Sequence, residues 1–178
     1  MAVTAKTKAA RANARASADR KPKSAHPAQD AITLLENDHR QVDGYFEQYE
    51  GLTDEAEKKA LADKICLALK VHTQIEEEIF YPPAREATGD GDLLDEAVVE
   101  HMGAKTLIAE IEAMQPGQPL YDAKVKVLGE QVRHHVEEEE QELFPEVRET
   151  DLDLDALGAK LAARKAELMA LLAPAMTA

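Results

Sequence analysis

Helical periodicity puts four histidines and two glutamates where a chain of this kind needs its core. Between about residues 30 and 50, apolar side chains recur at Ile32, Leu35, Val42, Phe46 and Tyr49. Their alternating three and four spacing leaves one vacancy, and His39 fills it. A second segment repeats the arrangement, with Leu94, Ala97, Ala104, Ile108 and Ile111 surrounding His101. Two further seams read Leu61, Ile65, Leu69, His72, Glu76, Ile79 and Leu128, Val132, His135, Glu139. A carboxylate on such a seam is costly unless its charge is compensated, and two facing carboxylates also repel each other.

The four seams are two copies of one hairpin. His72, Glu76, Glu77 and Pro82 align with His135, Glu139, Glu140 and Pro145 at a fixed offset of 63, as do Arg85-Glu86 with Arg148-Glu149. At an offset of 62, Asp38-His39 aligns with Glu100-His101. Five of the six histidines therefore lie in the repeat, and four occupy matched seam positions. The run Glu137 to Glu140 makes a glutamate four places after His135 uninformative by itself, so the repeat carries the signal.

Eight Gly and eight Pro in 178 residues are too few turns for an all-β chain. With Ala, Leu, Glu and Lys abundant, the expected class is all-α. Helices are predicted over about 30–50, 54–87 after a Thr53 cap with an interruption near Pro82 and Pro83, 92–114, 120–149 and 155–173. The last carries an apolar stripe of Leu157, Leu161, Leu168, Leu171 and Leu172, suited to docking on the bundle or on a second copy to form an oligomer. Three parts follow: a tail over 1–28, a helical core over 29–150 and a C-terminal amphipathic helix within 151–178. Seven basic residues and one acid give the tail a net charge of +6, so the remainder must total −20 for the chain to reach −14. Having few large apolar residues, the tail is expected to be disordered, as a solubilising arm or, less simply, a nucleic-acid contact. No apolar run reaches the roughly 20 residues of a membrane span, and no secretory segment precedes the core, so a cytoplasmic protein without membrane contact is expected.

Cys66 stands alone, which excludes an internal disulfide and a thiolate metal cage. Any metal must then be held by nitrogen and oxygen, a donor set that suits iron, manganese or zinc. The i, i+4 pairs His72/Glu76 and His135/Glu139 each lie one turn apart on a single face. Helical bundles are known hosts for such carboxylate-bridged sites.

The combination of Asp38-His39, His72-x-x-x-Glu76 with Phe80-Tyr81-Pro82, Glu100-His101 and His135-x-x-x-Glu139 with Leu143-Phe144-Pro145 resembles the bacterial hemerythrin-like HHE cation-binding domain. The likeness covers about residues 30–150. It implies an up-and-down antiparallel four-helix bundle around two non-haem irons joined by an oxo or hydroxo bridge. Glu76 and Glu139 would bridge the irons, and His39, His72, His101 and His135 would bind terminally. Oxygen carriers of this family use a fifth histidine and an asymmetric carboxylate set, so the symmetric set here resembles members tied to iron handling and to reactive oxygen or nitrogen chemistry.

Four nitrogens and two bridging carboxylates give about eight contacts, whereas two six-coordinate irons want about twelve. After an oxo bridge, about two positions stay open for dioxygen, nitric oxide or peroxide. The expected role is therefore redox, sensing or detoxifying, including that of an oxidoreductase consuming peroxide or nitric oxide, with a ligand pocket lined by Phe46 and Ile108. The alternative is iron storage or donation, with Glu77, Glu78, Glu137, Glu138 and Glu140 guiding cations inward. Asp43 follows His39 by one turn, but its repeat counterpart is Lys105, which points to a surface or supporting role. His134 aligns with Val71 and is expected off the seam, and Tyr49 could donate into the pocket or simply pack.

Overall fold

The computed structural model describes residues 29–89 and 91–173, and within them every regular element is helical. The expectation for residues 1–28 lies outside the described residues. Helix α1 spans Ala31–Glu50, α2 Glu55–Ile75, α3 Tyr81–Thr88, α4 Gly91–Glu112, α5 Tyr121–Glu138, α6 Phe144–Arg148 and α7 Leu154–Leu172. Aspartates start three of them: Asp30 accepts from the Thr33 amide, Asp54 from Ala56 and Glu57, and Asp153 from Ala156. Each satisfies amide donors that a helix start leaves without partners. Asp54, one residue after the expected Thr53, is the α2 cap.

Two π-helical turns break the second and fourth predicted helices, at Glu76–Phe80 and Glu139–Leu143. In each, the amide of the residue just before a proline reaches back five places, Tyr81 to the Glu76 carbonyl and Phe144 to the Glu139 carbonyl. In an unbroken α-helix the Pro82 and Pro145 rings would strike the carbonyls of Glu78 and Gln141. Widening the turn by one residue relieves that clash. The prolines then sit in the first turns of α3 and α6, where no amide is needed. The uninterrupted helix expected over 120–149 is thus two helices joined by a π turn, because Pro145 acts as Pro82 does.

Helix α1 packs on α2 and α5, and α4 packs on the same two helices. Their apolar seams meet in two clusters. One joins Ile32, Leu35, Ile75, Phe80, Leu94 and Phe144 to α7, and the other joins Val42, Phe46, Ile65, Leu69, Ile108 and Leu128. His39 falls between Leu35 and Val42, and His101 between Ala97 and Ala104, so the histidine layer separates the clusters.

Helix α7 lies across α1, α2 and the first π turn. Leu157, Leu161 and Leu168 are buried there, whereas Leu171 is 71% exposed and leaves the predicted stripe. The buried face docks on the bundle, the first of the two surfaces expected for it. Gly158 makes the crossing possible: a Cβ there would lie 2.2 Å from the Gln29 carbonyl oxygen and 2.8 Å from the Ala31 nitrogen. Among the described residues no helix is long and apolar enough to cross a membrane.

Gly158→Ala is expected to push α7 off the start of α1 and cost about 1–3 kcal/mol, as other overpacked contacts do. Gly103→Ala has only the flexible end of Gln131 at 3.7 Å and should instead stabilise α4, by about 0.5–1 kcal/mol. Urea unfolding midpoints of the two variants test this, and equal shifts would contradict the packing described.

Candidate metal centre

All six residues singled out in the sequence converge in one buried layer. His39 and His72 face each other with their Nε2 atoms 3.1 Å apart, as do His101 and His135 at 3.0 Å. Glu76 lies between the pairs, with Oε1 3.2 Å from His72 Nε2 and Oε2 3.4 Å from His101 Nε2. Glu139 spans them through one oxygen, with Oε2 3.3 Å from His39 and 3.5 Å from His135. Its Oε1 accepts a hydrogen bond from Tyr81 Oη at 2.9 Å. Tyr81 corresponds to Phe144 in the repeat, so the two halves differ here: Tyr81 stacks on His101 and Phe144 on His39.

Outer carboxylates orient the rings. His39 Nδ1 meets Glu140 at 2.9 Å, His101 Nδ1 meets Glu77 at 2.9 Å and His135 Nδ1 meets Glu100 at 2.8 Å. Asp38 lies 3.7 Å from His72 Nδ1. A carboxylate on Nδ1 fixes that nitrogen as the donor and turns Nε2 inward, the arrangement found around metal-bound histidines. Sequence reasoning missed these partners, although the matched pairs Asp38/Glu100 and Glu77/Glu140 were their signal. Two of the acids are held in turn, Glu77 by Lys105 at 2.6 Å and Asp38 by Lys165 from α7.

The carboxylates and rings of this layer shift one another's pKa values. Burial opposes charge on His72, but Glu76 and Asp38 outweigh it and push its pKa up to about 10. Burial likewise opposes charge on His135, and Glu139 and Glu100 raise it to about 9. His101 moves the other way: burial lowers it, and the neighbouring His135 cation adds to that. The Glu139 carboxyl is held well below the usual range, because His135 and His39 overcome the burial that would raise it.

The donors fit a cation. Both Glu76 oxygens and Glu139 Oε2 are buried without a hydrogen-bond partner, which is costly for a carboxylate unless a charge faces it. Two nitrogens each about 2.1 Å from one ion at right angles stand about 3.0 Å apart, matching both imidazole pairs. Two groups could each hold a metal ion, His39-His72-Glu76-Glu139 and Glu76-His101-His135.

Other expected contributors lie elsewhere. Asp43 accepts from Arg133 at the surface, and Tyr49 donates to Asp122 within the other apolar cluster. His134 points outward from α5 towards Glu138. The cavity against the histidines is lined by Val42, Leu69, Ala104 and Val132 with Thr73, Glu100 and Gln131, and Phe46 and Ile108, expected there, lie deeper in the same apolar cluster. Of the acids expected to guide cations, Glu77 and Glu140 hold histidines and Glu78 holds Arg164. Cys66 is buried, and burial with the Glu112 charge raises its thiol to about 12, as suits a packing residue.

Residues 30–147 match the hemerythrin HHE cation-binding domain, and the chain belongs to that family. It is 32% identical over 120 residues to a DNA nickase from Nostoc, a match spanning 67% of this chain but only 33% of the nickase. An uncharacterized protein of Mycobacterium tuberculosis is 26% identical over 142 residues, covering 78% of this chain and 86% of that one. The crystal structure of an HHE cation-binding domain-containing protein from Mycobacterium kansasii superposes with a TM-score of 0.70 at 24% identity. It covers 80% of this chain and 89% of that one, and it supports the shared fold.

Metal uptake at neutral pH is expected to release about two protons, those on His72 and His135. Calorimetry in buffers of different ionisation enthalpy measures this, and proton-free uptake would contradict it. Both pKa values lie above 6.5, so the stability these groups give the metal-free fold is complete below about pH 6.5 and is lost as pH rises through about 9 to 10. Urea midpoints of the metal-free protein should fall across that window.

Proposed function

We propose that residues 29–150 form an up-and-down antiparallel four-helix bundle that holds a non-haem di-iron centre and binds a small oxidant, dioxygen, nitric oxide or peroxide. In this reading His39, His72, His101 and His135 bind terminally, and Glu76 and Glu139 bridge. When bound, the iron pair would supply redox capacity and open coordination positions. The chain's own residues do the rest: Glu140, Glu77 and Glu100 hold the rings of His39, His101 and His135, Asp38 faces His72 as a charge at 3.7 Å, and Tyr81 fixes one oxygen of Glu139.

One observation carries the reading. Against the four histidines lies a cavity of about 30 Å³, lined by the apolar Val42, Leu69, Ala104 and Val132 and by the polar Thr73, Glu100 and Gln131. Such a space admits one or two water-sized molecules, enough for a diatomic or peroxide and too small for an organic substrate. Its mixed apolar and polar wall suits a small guest, a diatomic or peroxide. Storage or donation of iron is the weaker reading, because Glu77, Glu78 and Glu140 are engaged in fixed contacts.

Ala104→Val narrows the cavity without touching a donor atom. The iron-loaded variant should keep the parent's iron content but consume peroxide and bind nitric oxide more slowly, while His135→Ala loses both iron and reactivity. Stopped-flow rates normalised to iron test this, and equal rates for parent and Ala104→Val would sink the cavity's role.

A further inference from the structure

The repeat pairs Asp38 with Glu100, and the two carboxylates have different surroundings. Asp38 turns one oxygen to His72 and the other to the Lys165 ammonium. Glu100 turns Oε2 to His135, and among the described residues its Oε1 pairs with no lysine or arginine. On the Asp38 side, α7 covers Val71 and Ile75, both buried. Their counterparts on the other side are the exposed His134 and the half-buried Glu138.

Where one half has an ammonium over two apolar residues, the other has an imidazole and two carboxylates. His134 and Glu138 are one turn apart on α5, with His134 Nε2 3.4 Å from Glu138 Oε1 and 3.8 Å from Glu100 Oε1. One ligand atom from each of the three residues lies within 4.8 Å of the other two. Glu96 and Glu142 add negative charge to the same spot.

We propose that Glu100, His134 and Glu138 form a second, surface site for a divalent cation of zinc, manganese or ferrous type, at the place that mirrors the Lys165 ammonium. One imidazole and two carboxylates leave coordination positions for water, as a solvent-facing site requires. A cation on Glu100 Oε1 holds the other Glu100 oxygen on His135, as Lys165 holds Asp38 beside His72. The site is independent of which metal fills the buried layer.

The test compares parent, His134→Ala and Glu138→Gln, each loaded with iron and then dialysed against micromolar free zinc, with iron and zinc counted per chain. His134 is exposed and Glu138 half-buried, and both substitutions should leave the fold intact. The parent should take up about one zinc more than either variant, with equal iron in all three. Equal zinc uptake by parent and variants, or none by any, overturns the proposal. If the buried layer takes zinc instead of iron, that zinc is common to all three proteins, and the difference still reads the surface site.

Discussion

The burial of Glu76 and Glu139 is the constraint on which the rest of the structure depends. Three of their four carboxylate oxygens have no hydrogen-bond partner within the protein. A core can keep such groups only if positive charge stands beside them, and four imidazoles supply the place for it. The pKa values of His72 and His135, raised to about 10 and about 9, favour their cationic forms at neutral pH. The same atoms form two groups that could each hold a metal ion, so a proton and a metal would compete for one set of atoms.

Much of the remaining architecture serves this layer. The π turns start at the two glutamates and are set by the prolines that follow, so the backbone irregularity and the donor position have one cause. The outer carboxylates hold Nδ1, which leaves Nε2 directed inward. Helix α7 ties into the network at one corner, where Lys165 meets Asp38. That contact depends on Gly158, which lets α7 approach the backbone at the start of α1.

The six central residues were legible in the sequence because each interrupts an apolar seam at a matched position in a repeat. Periodicity reports which face a residue occupies, and on a buried face only a few residue types need explaining. The supporting groups were harder to read, since Glu77, Glu100 and Glu140 sit among many acids in a chain with a net charge of −14. Composition alone makes such residues look like solvated surface. Tyr81 escaped because its counterpart is Phe144, and an aromatic pair in a core reads as packing until a hydroxyl finds a partner. Phe46 and Ile108 were misplaced by one helical turn, because seam membership fixes a face and not a depth along the bundle. Pro145 lay in the repeat, yet the predicted helix ran through it, and the π turn follows from treating it as Pro82 was treated.

The central claim is that two carboxylates and four imidazoles form one dinuclear iron site. Metal analysis with an aerobic ultraviolet-visible spectrum, on protein produced with ample iron, tests it most directly. The prediction is about two irons per chain with the near-ultraviolet absorption of a bridged ferric pair. One metal per chain, zinc in place of iron, or none would contradict it.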